Sequence, residues 1–335
     1  MNLSSRKRII MFLAAFTFFV AVMGFLFIRG RQNVSPANPP APPQISTYVN
    51  QTFPIKVQLT KDDFNFPTSL PLLYKGGSSP ITLAEAKEIA LKFGFTGEVQ
   101  ELKDIQEGIV YSWSNETAGL SIRPNRKEIK YTVNQALSTS IRKLSEPELI
   151  EKAATFLEQK NLLGNDQAKT AFVYYFSTQA SGTDELKLTT IDKADYVEVN
   201  FSVKASDYKL LTLDPLSSPI GVRLLPDGNI TEVDLAKLPE ITKGGDLFKI
   251  KNYDQFVSTI KEAKIVSLNE GEMLSTDPNA NPINSVNVTE VELVYLIDSS
   301  SSNYYQPVFL IKGTADIEGI GKYISSYMYL PAITK

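Results

Sequence analysis

The chain contains no cysteine and no histidine among its 335 residues. The first absence removes disulfides, thiolate metal ligands, cysteine nucleophiles and any lipid-modified N-terminal cysteine. The second removes Ser-His-Asp triads, imidazole zinc sites and His-ligated haem. Ser-Lys acylation, carboxylate pairs and oxygen-ligand metal sites stay open. Positive charge is scarce too. Arg6, Lys7, Arg8, Arg29 and Arg31 belong to a first segment without acids, and setting them aside leaves 29 basic against 37 acidic residues, a net of -8. A region that acidic, without a Lys/Arg stripe, lacks the side chains that neutralise phosphates, so nucleic acid is excluded as a partner.

Charge is missing altogether from Ile9 to Ile28, a run of twenty residues about 30 Å long at the helical rise. Thirteen of them are Leu, Ile, Phe or Val, which favours insertion by at most about 4 to 8 kcal/mol. The run exceeds the apolar core of a secretory signal peptide and ends at Arg29-Gly30-Arg31 with no small-x-small cleavage site. These features predict an uncleaved single-pass transmembrane helix at 9–28, a cytoplasmic tail at 1–8 and an extracytoplasmic C-terminal region. The expected location is the cell membrane, with the membrane itself and an envelope or membrane protein as partners.

Asn33 to Gln44, NVSPANPPAPPQ, carries five prolines and reads as a stiff polyproline II spacer of about 35 to 40 Å within a linker at 29–52. A threefold pattern follows, in which one amphipathic helix precedes several alternating strands. The first helix opens at Thr82 with Glu85 completing a capping box, and sets Leu83, Ala86, Ala90 and Phe93 on one face before Gly94. The second opens at Ser145 in S-E-P-E and sets Leu149, Ile150, Ala153, Phe156 and Leu157 inward. The third spans about Tyr253 to Lys264. Between them lie strands such as GIVYSWS, KEIKYTV and YVEVNFSV, and a hairpin GVRLL-PDG-NITEV turning at Asp227-Gly228. The predicted fold class is α+β: tandem modules at 53–140, 141–242 and 243–335, each an amphipathic helix packed on an antiparallel β-meander.

ITLAEAKEIALKFGF (Ile81 to Phe95) with the YSW strand (Tyr111 to Trp113) resembles a PepSY-type module, as does LSEPELIEKAATFLEQKNLL (Leu144 to Leu163). A basic tail, one membrane helix and tandem modules also resemble the YycH and YycI regulatory proteins of Gram-positive bacteria, whose third module carries something close to VELVYLI…YYQPVFLIKG, here Glu292 to Gly313. The resemblance implies an extracytoplasmic protein that modulates a membrane partner or inhibits a hydrolase. It transfers no functional residue, because the matching positions are packing positions.

Chemical candidates are few. Ser258-x-x-Lys261 has the Ser-Lys spacing, but so do Ser4, Ser140 and Ser206, and no K-T-G accompanies them. Asp62-Asp63, Asp184-Glu185 and Glu290/Glu292 are the visible acid pairs. A glycosidase needs two acids about 5 to 10 Å apart across a cleft, whereas Glu290 and Glu292 read as the wet side of a strand. Asp277, Asn279 and Asn281 begin like a calcium loop that then fails at Pro282 and Val288. Gly319-x-Gly321-Lys322 is too short for a phosphate loop, and Lys243-Gly244-Gly245-Asp246 reads as a turn. Tyr174-Tyr175 and Tyr304-Tyr305 are contact-surface candidates, although alternation sends one of each pair inward. No catalytic, cofactor-binding or metal-ligating residue is assigned, and no cofactor is expected. A non-catalytic regulatory or protein-interaction role ranks first. An envelope hydrolase using paired carboxylates and a passive cell-surface ligand-binding module are the alternatives.

Overall fold

A computed structural model describes residues 40–47, 52–76, 79–105, 108–134, 142–162, 171–178, 186–205, 207–236, 238, 240–269, 282–297, 303–319 and 323–334. In chain order its elements are β1 (Ile55–Val57), β2 (Ser69–Lys75), α1 (Leu83–Lys92), β3 (Gln100–Asp104), β4 (Gly108–Ser114), β5 (Ala118–Arg123) and β6 (Glu128–Val133). Next come α2 (Glu146–Gln159), β7 (Ala171–Thr178), β8 (Leu186–Leu188), β9 (Tyr196–Phe201), β10 (Val203–Ala205), β11 (Tyr208–Leu211), β12 (Ile220–Leu224) and β13 (Ile230–Ala236). The chain continues through β14 (Ile241–Lys249), α3 (Tyr253–Thr259), β15 (Lys264–Asn269), β16 (Ile283–Leu296), β17 (Tyr304–Ile317) and β18 (Tyr323–Pro331).

The helices start where reciprocal capping satisfies their first free N–H groups. Glu85 N donates to Thr82 Oγ1 at 3.2 Å while Thr82 N donates to Glu85 Oε2 at 2.8 Å. Ser145 N donates to Glu148 Oε2 at 2.8 Å, and Asn252 and Gln255 exchange bonds of 2.9 and 3.0 Å. Gly94, at φ +92°, ends the first helix in the left-handed region that glycine enters without strain.

The strands do not stay within modules. They pool into two sheets of nine strands, and the fold is mostly β, with one sheet nearly closed into a barrel-like form. The first sheet has the order β3-β4-β5-β6-β13-β12-β9-β7-β8 and is antiparallel throughout. The seam is the β6–β13 pair, Lys130 opposite Asp234 and Ile129 opposite Leu235. The second sheet runs β10-β11-β16-β17-β18-β15, with β1 and β11 parallel to β16, and β2 bridging β17 to β14.

The tandem helix-on-meander fold class is therefore corrected. Alternation along one strand predicts that the strand exists, but its pairing partner is set by tertiary contact, and joining β6 to β13 removes two exposed sheet edges. The second sheet likewise takes β1 and β2 from 53–140, β10 and β11 from 141–242, and the rest from the last segment and its border.

α1 packs on β4, and α2 on β7, β9 and β12. Tyr131 of β6 lies beneath both helices, stacked on Phe93 at 4.8 Å and near Phe156 at 6.2 Å. α3 anchors the second core, where the ring of Phe64 lies 5.0 Å from Phe256 and 5.3 Å from Phe309. The end of the Pro-rich stretch is docked: Pro43 is buried, Gln306 Nε2 donates to the Ala41 carbonyl at 2.6 Å, and Ile45 packs against the Val294, Val308 and Tyr329 cluster.

Among the described residues no helix is long and apolar enough to cross a membrane. α2, at 14 residues, is about 21 Å long against a hydrocarbon core of about 30 Å, and it is amphipathic. The run from Ile9 to Ile28 lies outside the described residues. The expected single-pass anchor, membrane partner and cell-membrane location with a cytoplasmic N-terminus rested on that run's hydropathy, and they are corrected here because the described fold supplies no span.

Candidate functional site

α1 covers one half of the first sheet and α2 the other, leaving the β6–β13 seam between them. At one end Tyr131, Phe93 and Phe156 fill the gap. At the other a cavity of about 420 Å³ remains. Ile89 of α1, Ile129 of β6, Ile220 of β12 and Leu235 of β13 give it an apolar lining, and Glu85, Glu88 and Lys92 of α1 line it as well. Glu85 is held by the Thr82 backbone and hydroxyl, and Lys92 Nζ donates to the Asn161 carbonyl at 3.1 Å. The cavity offers apolar surface beside two carboxylates of one helix, half-buried Glu85 and exposed Glu88, and among its lining residues there is no hydroxyl or thiol.

The opposite face of the same sheet carries a ladder of charges. Arg223 Nη2 lies 3.1 Å from Glu198 Oε2 and its Nη1 3.3 Å from Glu232 Oε1, while Lys130 Nζ reaches Glu232 at 3.0 Å and Asp234 at 3.7 Å. Buried Asn200 donates to Glu198 Oε1 at 3.0 Å. Burial opposes ionisation of Glu232, but bonds from Asp234 and Lys130 and the Arg223 charge outweigh it and hold the carboxyl below the usual range. Asp234, whose side chain is only partly covered by the sheet, is pushed up to about 6 by that partial burial, then by its hydrogen bond to Glu232 and that neighbour's charge. Carboxyls split in this way divide acid and base roles in some hydrolases. Here, however, the two sit two residues apart on one strand and bond to each other, not across a cleft, and Lys130 and Arg223 occupy Glu232. The arrangement is a pairing ladder.

That ladder has a pH signature. A carboxyl raised by folding binds its proton more tightly in the folded state, so Asp234 adds stability as pH falls from about 6 towards its unfolded value of 3.8. Glu232, shifted the other way, adds stability that is lost only as pH falls below its own ordinary value of 4.5. Asp234→Asn keeps a donor for Glu232 without the charge. It is expected to match the parent near pH 5 and to exceed it in stability above pH 6. The gain should be no more than about 1 kcal/mol, because the Asp234 side chain is 53% exposed. Urea midpoints at the two pH values check this, and an Asn variant less stable at pH 7 than at pH 5 relative to the parent contradicts it.

The candidates read from sequence land elsewhere. Asp63 accepts from Thr60 N and Oγ1 at 2.8 and 2.7 Å in an exposed turn, and these bonds hold its carboxyl below the ordinary range. Glu290 pairs with Lys312 at 2.7 Å and Glu292 with Lys209 at 2.8 Å. Ser258 Oγ donates to the carbonyl of Gln255 in its own helix. Tyr175 points to the helix side and donates to Glu146 Oε2 at 2.8 Å, so its phenol is pushed up to about 12 by burial and by that bond. Tyr174 faces the other way, into a cleft of about 170 Å³ shared with Glu292 and Lys312, and burial raises its pKa. Tyr305 is buried, with Lys75 Nζ 4.8 Å above its ring, and Tyr304 meets Tyr74 edge-on. Lys243 to Asp246 do not form a turn but lie inside β14, where its register against β2 shifts. Asp184-Glu185, Asp277 to Asn281, and Gly321-Lys322 lie outside the described residues.

No family model matches the chain, and no curated protein matches it. Among solved structures it is similar to the crystal structure of an uncharacterized protein from Eubacterium rectale ATCC 33656, at 11% identity and a TM-score of 0.47, over 85% of this chain and 90% of that one.

Proposed function

We propose that the chain is a non-catalytic interaction protein, in the manner of the PepSY-type and YycH/YycI regulators that its sequence resembles, and that it engages a partner protein through the cavity beside α1. The cavity itself carries this reading. Its volume of about 420 Å³ lies in the range of sites that take small ligands or a few side chains, its lining is largely aliphatic, and among its charged lining residues Glu85 and Glu88 outnumber Lys92, which is bonded to the Asn161 carbonyl. Aliphatic side chains flanked by basic residues complement that surface.

Short peptides of alternating leucine and lysine, compared with leucine and glutamate, test it by fluorescence anisotropy. The basic peptide is expected to bind and the acidic one not. Ile89→Trp, which plugs the cavity, should weaken binding about tenfold or more, because a buried aliphatic side chain contributes about 1.5 to 3 kcal/mol. Glu88→Lys should cost a few-fold. Equal binding of the two peptides, or an Ile89→Trp variant that binds unchanged, rejects the proposal.

A further inference from the structure

The first sheet ends at β3, whose outer edge has no partner strand among the described residues, and all five of its residues are exposed. An open edge presents a row of backbone N–H and C=O groups to any extended chain, and proteins commonly guard it with shortness, charged side chains, proline or a bulge. β3 has no proline and no bulge, and although it is short and carries Glu101, Lys103 and Asp104, its charges are of both signs, so an antiparallel copy of the same strand can match Glu101 with Lys103. Its sequence from Val99 to Ile105 is VQELKDI, and folded antiparallel about Leu102 it is complementary to itself. Val99 then meets Ile105, Gln100 meets Asp104, Glu101 meets Lys103, and Leu102 meets its own copy.

The exposures agree with that register. Leu102 is 52% exposed and Ile105 fully exposed, although both are large aliphatics. Glu101 and Lys103 make no ion pair among the described residues, so each is available to the other across a twofold axis. Leu102 and Gln100 project on one face of the sheet and Glu101, Lys103 and Ile105 on the other, so both faces gain a matched set.

We propose that β3 is a homodimerisation edge, at which a second copy of this chain adds its own β3 antiparallel about Leu102 and joins two nine-stranded sheets into one. A five-residue strand buries little area, so the association is weak and depends on concentration. It does not involve the cavity beside α1, which is lined by other strands and helix residues.

Light scattering and sedimentation of the full chain from about 1 to 500 µM read the mass. The native chain is expected to double in mass across that range. Glu101→Lys and Lys103→Glu each place like charges opposite one another at both ends of the pairing, and each should weaken dimerisation at least tenfold. Mixed together, the two variants restore opposite charges and should form heterodimers, and the double variant E101K/K103E should dimerise as the native chain does. Because the chain has no cysteine, Leu102→Cys gives a single thiol at the axis, and mild oxidation should yield a covalent dimer. A native chain that stays monomeric throughout overturns the proposal. So does a dimer that survives both single charge reversals, or a mixture of the two that associates no better than either alone.

Discussion

Phe309→Ala is expected to lower the stability of the fold by about 3 to 5 kcal/mol, the cost of removing a buried ring whose surroundings cannot collapse into the space. Phe309 is fully buried in β17, paired with Leu293 on one side and Leu330 on the other. Its ring lies 5.3 Å from Phe64, 5.6 Å from Phe66 and 5.5 Å from Phe256, and these come from a loop, the same loop and α3. Rings so placed are held by three separate backbones, which limits how far they can move to fill a void. The loss is a large share of the 5 to 15 kcal/mol that a typical domain has in hand. The one tryptophan, Trp113, reports the outcome from the other sheet, since it is buried in β4. Residues 40–335 form one compact unit, so urea unfolding followed by Trp113 fluorescence should show the midpoint fall with its slope unchanged. A variant whose Trp113 transition does not move shows the two sheets unfolding separately.

What sequence reveals here is the local part. Thr82 with Glu85 and Ser145 with Glu148 mark helix starts because the cap is made of residues three apart, and the structure forms both. Asp227-Gly228 turns the β12–β13 hairpin because Gly228, at φ +88°, accepts the left-handed conformation. The partners of those elements are another matter. β13 pairs with β6 across about a hundred residues, and β16 is flanked by β1 and β11 from two earlier segments, neither of which any alternation pattern specifies. The cavity is illegible for the same reason, being lined by α1, β6, β12 and β13 at once. Arg223, Glu232 and Asp234 alternate with apolar neighbours and so read as a wet face. Their mutual distances follow only from the register of four strands. Glu232 and Asp234 were within reach of the sequence as one more acid pair on a strand, but nothing there distinguished them from Glu290 and Glu292.

Gly313→Ala, the second large effect, is expected to destabilise the protein by about 1 to 3 kcal/mol or more, through a clash with backbone and not through lost burial. A Cβ on Gly313 would lie 2.1 Å from the carbonyl oxygen of Asn287 and 2.9 Å from its carbon. Glycine is required because β16 bulges there: Val288 pairs with Gly313 and Glu290 with Lys312, so Thr289 is the extra residue. The bulge changes which residues of β16 face which side. Val286 and Val288 before it share a side with Leu293 after it, while Glu290, Glu292, Val294 and Leu296 take the other. Glu290 thereby reaches Lys312, and Val294 and Leu296 reach the cluster around Leu211 and Tyr329. Alanine must either push the Asn287 carbonyl aside or squeeze out the bulge, and the second course turns one half of β16 inside out. Gly245→Ala is the control, because a Cβ there meets nothing within 4 Å, and its stability read from urea unfolding should change by less than about 0.5 kcal/mol. If Gly313→Ala were as mild as that control, the bulge at Thr289 would not be what sets the phase of β16.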